Sequence, residues 1–128
     1  MSGEQNLHKI IKNLHPQLHE GQYVFVTVAS MPAIAMEECL SIFREEKGIT
    51  LIMKREKANE LGLEYSFIAS WITLRVHSSL EAVGLTARVS TALAEAGISC
   101  NAVAAFYHDH IFVPYRQADR ALVILRNL

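Results

Sequence analysis

The sequence contains two copies of one pattern, and this repeat constrains the fold more than any other feature of the chain. Residues 43–61, FREEKGITLIMKREKANEL, align with residues 106–122, FYHDHIFVPYRQADRAL. Both copies run in the same order: phenylalanine, turn, strand, arginine, helix. A strand-like run precedes each copy, at residues 23–29 and 68–77. A repeat of this kind predicts two similar structural units.

The second copy has the clearer order of elements. β-branched and aromatic runs predict strands, and an apolar stripe at helical spacing predicts a helix between the first two of them. The predicted elements are a strand at 67–76, a helix from about residue 82 to Gly97, strands at 98–107 and 111–113, and a helix at 116–126. In the first copy the irregular segment MPAIAMEECL replaces the long helix, so that copy is expected to be degenerate.

The first half starts with a short amphipathic helix at residues 6–14. His15-Pro16 ends this helix, because proline disfavours the helical conformation of the residue before it. The next predicted elements are a strand at 23–28, a hairpin of 41–44 with 49–53, and a brief helix at 56–61.

Both copies therefore read as β-α-β-β-α. This order predicts an α+β protein with a ferredoxin-like (βαββαβ-type) fold and a mostly antiparallel sheet. We expect the N-terminal helix and the first, degenerate unit within residues 1–64, and the second unit within residues 65–128.

Charge and cysteine content exclude several classes of protein. Twelve basic and thirteen acidic residues give a net charge of −1, which offers no basic surface for nucleic acid or for an anionic membrane. Cys39 and Cys100 fit neither a redox pair nor a zinc knuckle, so they are expected to be reduced, buried thiols, with a bridge between them as the alternative. Without a signal-like N-terminus or an apolar run of spanning length, we expect a soluble, cytoplasmic protein.

The segment VHSSLEAVGLTARVSTALAEAGISCNAVAAFYHDHIFVP, residues 76–114, resembles the ACT-domain family. The closest resemblance within that family is to small stand-alone proteins with two tandem ACT-like units and no attached enzyme. It is strongest over residues 72–115 and extends from about residue 22. The resemblance implies a ferredoxin-like fold and regulatory binding of amino acids or similar metabolites at interfaces between ACT units.

The resemblance also implies which residues surround such a ligand. They come from the loop after the first strand, the start of the first helix and the facing second strand. On this chain those positions are Ser78, Ser79, Gly84, Leu85 and Thr86, with Asn101, Ala102 and Val103 on the facing strand. The first copy lacks a glycine that opens a long helix, so a second, symmetric site is in doubt.

The residues themselves allow two interpretations of this helix start. Ser78 with Glu81 matches a capping box, whose only role would be to satisfy backbone N–H groups. Alternatively, Gly84 lets a ligand carboxylate approach the N–H groups of Val83, Gly84 and Leu85, where the helix dipole favours negative charge. A glycine in the first turn of a helix is unfavourable, so a close approach is expected there, either of a ligand or of a neighbouring strand.

Two groups of histidines are candidates for a chemical site. His108 and His110, with Asp109 between them and His77 elsewhere, could suggest a metal, but the spacing is that of a hairpin turn. We therefore predict no metal site, no cofactor and no catalytic residue, because no nucleophile motif or carboxylate pair accompanies the histidines. Asp109 is read either as the counter-charge to a ligand ammonium or as a solvated turn residue. His15 and His19 are read as surface residues.

The sequence thus predicts a non-catalytic regulatory or sensor protein that binds an amino-acid-like small molecule. Since no enzyme domain is fused to it, regulation would act on a partner enzyme in trans. The alternative is a structural or interaction module that associates through exposed sheet edges without a small ligand. In either case a homodimer is expected, without nucleic acid or membrane partners.

Overall fold

A computed structural model describes residues 6–76 and 83–128. The chain divides into two compact units: a first unit, Gly21–Ala69, and a second unit that combines Met1–Glu20 with Ser70–Leu128. The second unit follows the predicted β-α-β-β-α order, the first has a 3-10 turn in place of its first helix, and the ferredoxin-like α+β fold is confirmed. From residue 6 onwards, the N-terminal segment belongs to the second unit.

In the first unit, β2 (Tyr23–Val28) pairs antiparallel with β4 (Ile49–Lys54), and β4 pairs with β3 (Cys39–Arg44). A 3-10 turn, Met36–Glu38, stands where the second unit has a long helix, as the irregular MPAIAMEECL segment predicts. Helix α2 (Arg55–Glu60) follows β4 directly. A small apolar core holds this unit together, formed by Val24, Val26, Leu51, Met53 and Ala58.

The second unit begins with α1 (Leu7–Lys12), which Asn6 caps through its side chain, and β1 (His15–Leu18). The sequence did not predict β1; it pairs antiparallel with β5 (Ile68–Arg75), a strand that starts in the first unit. Helix α3 (Leu85–Glu95) and the antiparallel hairpin of β6 (Asn101–Ala104) and β7 (Asp109–Pro114) follow, and α4 (Ala118–Arg126) ends the unit.

The helices of the second unit cover one face of its strands. Alternate strand residues such as Ile72, Leu74, Ile111 and Val113 meet the apolar stripes of α3 and α4. This core is larger than that of the first unit, and its buried members are Ile10, Leu14, Ile72, Leu74, Leu85, Val89, Leu93, Ile98, Ile111, Val113, Ala121, Leu122 and Leu125. The intervening strand residues lie on the opposite face, which carries polar side chains.

Several predicted boundaries are wrong by a few residues. Helix α3 starts at Leu85 and not at about residue 82, and β6 covers only Asn101–Ala104 of the predicted 98–107. The predicted turn at His108–His110 lies earlier, because Asp109 and His110 already belong to β7. The final helix begins at Ala118, after a 3-10 turn at Tyr115–Gln117.

Candidate functional site

The start of α3 is the centre of the predicted ligand site. Gly84 is its N-cap, with φ 102° and ψ −12°, and no side chain in the described residues caps the helix. The first intrahelical bond runs from the Arg88 N–H to the Gly84 carbonyl, 2.9 Å. The N–H groups ahead of Arg88 in this turn therefore lack the usual helical acceptor. Ser78, Ser79 and the capping-box residue Glu81 lie outside the described residues.

Gly84 precedes α3 as its N-cap, so the expected cost of a glycine inside the first turn of the helix does not apply. A residue with φ of 102° adopts a left-handed conformation that glycine tolerates and other residues do not. A Cβ at this position would also meet Leu7 Cδ2 of α1 at 2.9 Å. Backbone conformation and packing against α1 thus explain the glycine without a ligand. The ligand site itself stays a prediction.

The side chains beside Gly84 point in different directions. Val83 is 82% exposed, whereas Leu85 is 4% exposed and belongs to the apolar core. Only the backbone groups of these two residues are therefore available to a polar ligand. Thr86 is the first residue of α3 whose side chain makes a polar contact in this region.

Thr86 and Asp109 are brought together from different elements. Thr86 Oγ1, in the first turn of α3, donates to Asp109 Oδ2 at the start of β7 over 3.4 Å. Partial burial raises the pKa of the Asp109 carboxyl, while the Thr86 hydrogen bond and the neighbouring His110 and His108 oppose that rise. A half-buried carboxylate with one weak hydrogen bond among the described side chains can accept a further donor, such as an ammonium group.

The three predicted residues of β6 divide between the two sheet faces. Ala102 pairs with Ile111 and so shares the helix-covered face, on which Asp109 also lies. Asn101 and Val103 pair with Phe112 and His110, on the opposite face. Asn101 and Ala102 are exposed, and Val103 is partly buried. Of the predicted side chains, Ala102 is therefore the one on β6 that faces the same way as Asp109.

A polar network on the sheet face opposite the helices was not predicted. The ring of His19 stacks on the ring of Trp71, with centroids 3.5 Å apart and planes 13° from parallel. Thr73 Oγ1 lies 2.7 Å from His19 Nε2 and 3.0 Å from His110 Nδ1, and Trp71 Nε1 donates to His110 Nδ1 over 3.0 Å. His19, expected to be a surface residue, is partly exposed and also takes part in this network.

The network favours neutral imidazoles. Burial lowers the pKa of His19, and the positive charge of Arg75 lowers it further. Burial also lowers the pKa of His110, followed by the charges of His108 and His19, with Asp109 acting in the opposite direction. His108 is outside the network; its Nδ1 lies 3.1 Å from the Val76 carbonyl. Nothing in the sequence indicated these contacts, because they join residues up to 54 positions apart.

Within residues 6–76 and 83–128, no three His, Cys, Asp or Glu side chains are grouped so that they could hold a metal ion. His77, the fourth residue of the metal interpretation, lies outside those ranges. Cys39 and Cys100 are free thiols, each only partly buried, and burial raises the pKa of both. None of the helices in the described residues has the length and apolar character that crossing a membrane requires.

Comparisons with known families identify both halves of the chain. A family model described as ACT domain matches residues 2–70, and a second model of the same description matches residues 66–127. The chain belongs to the ACT-domain family. The predicted resemblance to a protein with two tandem ACT units is confirmed. ACT domains are regulatory modules that generally bind amino acids, so the family accounts for the predicted class of function.

Solved structures share this double ACT fold. A Vibrio cholerae protein, described as of unknown function and a possible transport protein, is 46% identical over 94% of both chains, with a TM-score of 0.83. A protein from Agrobacterium tumefaciens is 16% identical, with a TM-score of 0.71 over 89% of this chain and 87% of the other.

A structure of aspartokinase alpha and beta subunits is 15% identical to the ACT-domain chain, with a TM-score of 0.60 over 88% of this chain and 95% of the other. At 15–16% identity the aspartokinase and Agrobacterium structures share the fold alone. A comparison with curated proteins gave no match.

Proposed function

We propose that this ACT-domain protein binds a free amino acid, or a closely similar zwitterion, at the start of α3 and regulates a partner enzyme in trans. The observation that carries the proposal is the contact between Thr86, in the first turn of α3, and the half-buried Asp109. Backbone donors and a carboxylate acceptor therefore lie at one place, on elements held by the same core.

The two ends of an amino acid complement these groups. Its carboxylate would accept hydrogen bonds from the first-turn N–H groups of α3, where the helix dipole favours negative charge. Its ammonium would pair with Asp109 and so offset the unfavourable burial of that carboxylate. Ser78 and Ser79 would assist at the carboxylate, and carbonyl groups of β6 between Asn101 and Val103 would assist at the ammonium.

The test is a thermal-shift screen of the purified chain against each of the twenty common amino acids. A ligand at 100-fold its Kd stabilises the folded state by about 2.7 kcal/mol. For a chain of this size that raises Tm by roughly 5–10 °C. We expect one or a few amino acids to give such a rise. A flat response to all of them contradicts the proposed function.

Variants of two residues locate the site. Asp109→Asn removes the counter-charge, and Thr86→Val removes the hydroxyl, so both should reduce the ligand-induced rise in Tm, the first to near zero. Asp119→Asn is the matched control, because it removes the same charge from an exposed residue in the first turn of α4. An unchanged response in Asp109→Asn would mean that the ligand binds at another place.

We also propose a cellular location and an oligomeric state for the protein. The protein acts in the cytoplasm, without catalytic activity of its own. The reducing cytoplasm keeps thiols such as those of Cys39 and Cys100 free. It forms a homodimer through its sheet edges. Strand β3 lies at the end of the strand order and carries the exposed apolar side chains Ile42 and Phe43, which support this assembly. Light scattering of the purified chain measures the oligomeric state directly.

A further inference from the structure

A polar cavity in the first unit is separate from the residues at the start of α3 and from the network of His19, Trp71, Thr73 and His110. Its volume is about 330 Å³, at the lower end of the range for small-molecule sites. Gly21 and Gln22 precede β2, Lys54 ends β4, and Arg55 starts α2; pairing of Tyr23 with Lys54 keeps them adjacent. The lining residues are Gly21, Gln22, Lys54, Arg55, Glu56 and Asn59.

Arg55 is the half-buried cation of this cavity, and its partners are neutral. Nε donates to the Tyr65 hydroxyl over 2.8 Å, and Nη1 donates to Gln22 Oε1 over 3.1 Å. No carboxylate of the described residues pairs with Arg55. A guanidinium has five N–H donors, so one on Nη1 and both on Nη2 remain for another acceptor.

The surrounding side chains hold this guanidinium in place. The Tyr65 hydroxyl that accepts from Arg55 donates in turn to Asn59 Oδ1 over 2.7 Å. The Arg55 guanidinium carbon lies 5.7 Å from the centroid of the Tyr65 ring, and the Arg55 backbone N–H donates to the Gln22 carbonyl over 2.9 Å. A cation fixed by neutral groups loses little freedom when an anion binds, which favours affinity.

The contrast with Lys57 on the same helix supports this reading of Arg55. Lys57 Nζ forms ion pairs with Glu38 at 3.0 Å and Glu60 at 3.3 Å. Glu38 and Glu60 thus pair with the lysine, and no carboxylate of the described residues forms an ion pair with the arginine. Lys54 adds a second positive charge to the lining against the single negative charge of Glu56.

We propose that this cavity binds the oxyanion group of a small metabolite, a phosphate or a carboxylate, through the free N–H donors of Arg55. Two parallel N–H groups on a guanidinium match two oxygens of either group. The Asn59 amide and Lys54 provide polar contacts for the rest of the molecule. All lining residues belong to the first unit, so this site is independent of the amino-acid site at α3.

The experiment follows the side-chain Nε–Hε signal of Arg55 by NMR in the ¹⁵N-labelled full chain. The signal is assigned by its loss in Arg55→Lys, and the protein is titrated with sodium phosphate, with sodium acetate, and with sodium chloride at equal ionic strength. We expect a saturable shift with at least one oxyanion and none with chloride. Saturation by phosphate alone identifies a phosphorylated ligand, and saturation by acetate alone identifies a carboxylate.

Variants test whether Arg55 binds the anion. Arg55→Lys replaces the two parallel N–H donors of the guanidinium by a single ammonium group. The affinity for the anion should therefore fall roughly 10- to 100-fold, as followed through the backbone signals of Gln22 and Asn59. Tyr65→Phe removes the acceptor that orients Nε and should weaken binding severalfold. Arg44→Lys is the matched control on exposed β3 and should leave affinity unchanged. Shifts that match chloride, or equal affinity in Arg55→Lys and the wild type, overturn the proposal.

Discussion

The hydrogen bond between Trp71 and His110 determines the charge of a half-buried imidazole. An indole N–H can only donate, so His110 Nδ1 must carry a lone pair and the ring is neutral while the bond exists. Protonation would place two donors against each other, beside His19 and His108. The pKa of His110 lies below its usual value for the related reason that burial disfavours the charged ring.

We therefore expect the free energy of unfolding to decrease as the pH falls from 7 to 5. The pKa values of His110 and His19 are lower in the folded chain than the value of about 6.5 in the unfolded chain. The unfolded chain then binds protons first, so stability is complete above about pH 6.5 and is lost as the pH drops. Each histidine adds a slope of at most about 1.4 kcal/mol per pH unit, less for rings that solvent reaches.

Urea unfolding at pH 7, 6 and 5 measures this slope. His110→Asn keeps an acceptor near the position of Nδ1 but cannot take up a proton, so the slope should become shallower. His8→Asn is the control, because His8 is an exposed residue of α1 outside the network. Equal slopes in His110→Asn and the wild type would contradict the account of a neutral, buried imidazole.

Sequence reasoning at this scale named neighbouring residues only where one short segment contained both. It named Thr86 from the resemblance to ACT domains and Asp109 as a counter-charge to a ligand ammonium, and the structure brings these two side chains into contact. It missed the network of His19, Trp71 and Thr73, since alternation along a strand gives the face of a residue and not its neighbour on another strand. It also missed Arg55, whose proposed role depends on Asn59 of the same helix and on Gln22 and Tyr65 from the segments before β2 and after α2.

Among the secondary-structure elements, the contact between α1 and α3 leads to a prediction about the stability of the fold. Gly84→Ala places an L-residue at φ 102°, which should destabilise the fold by about 1–2 kcal/mol. The added methyl group also meets Leu7 Cδ2, the flexible end of a side chain that can rotate away. We therefore expect the backbone conformation to dominate, with a coupling to Leu7 of about 0.5 kcal/mol.

A double-mutant cycle separates the two contributions. In a Leu7→Ala background, Gly84→Ala should be less destabilising by the coupling energy, as measured by urea unfolding at pH 7. Gly62→Ala is the reference, because Gly62 also has a positive φ, 68°, but no atom lies within 4 Å of the added Cβ. A cost for Gly84→Ala close to zero would show that the left-handed conformation is not required there.

The elements themselves were largely predictable, and the exceptions have physical causes. Apolar periodicity gave α3 and α4 because their buried residues recur every three or four positions. Strand β1 was missed because it is four residues long and contains Pro16, which sequence reasoning treats as a break. The start of α3 was placed too early because the left-handed Gly84 resembles, in sequence, a glycine inside the first turn.

For the molecule as a whole, the internal repeat predicted two units but not their unequal cores. The degenerate first copy lacks a long helix, and its buried cluster is correspondingly small. The second unit gains α3, α4 and the N-terminal helix, which together build the larger cluster. Local stability follows the amount of buried apolar contact, so the two units should differ in how easily they open.

We predict that native-state hydrogen exchange is slowest in α3, α4 and β7 and faster in β2 and β4, because the first unit opens without global unfolding. Leu93→Ala and Met53→Ala form a matched pair: both side chains are fully buried, and each truncation costs about 2–5 kcal/mol. Leu93→Ala should accelerate exchange chiefly in the second unit. Met53→Ala should accelerate exchange in both units, because global unfolding includes the first unit as well. If Leu93→Ala accelerates the β2 and β4 amides as much as those of α3, the chain unfolds as one cooperative body and the difference between the cores has no consequence for its stability.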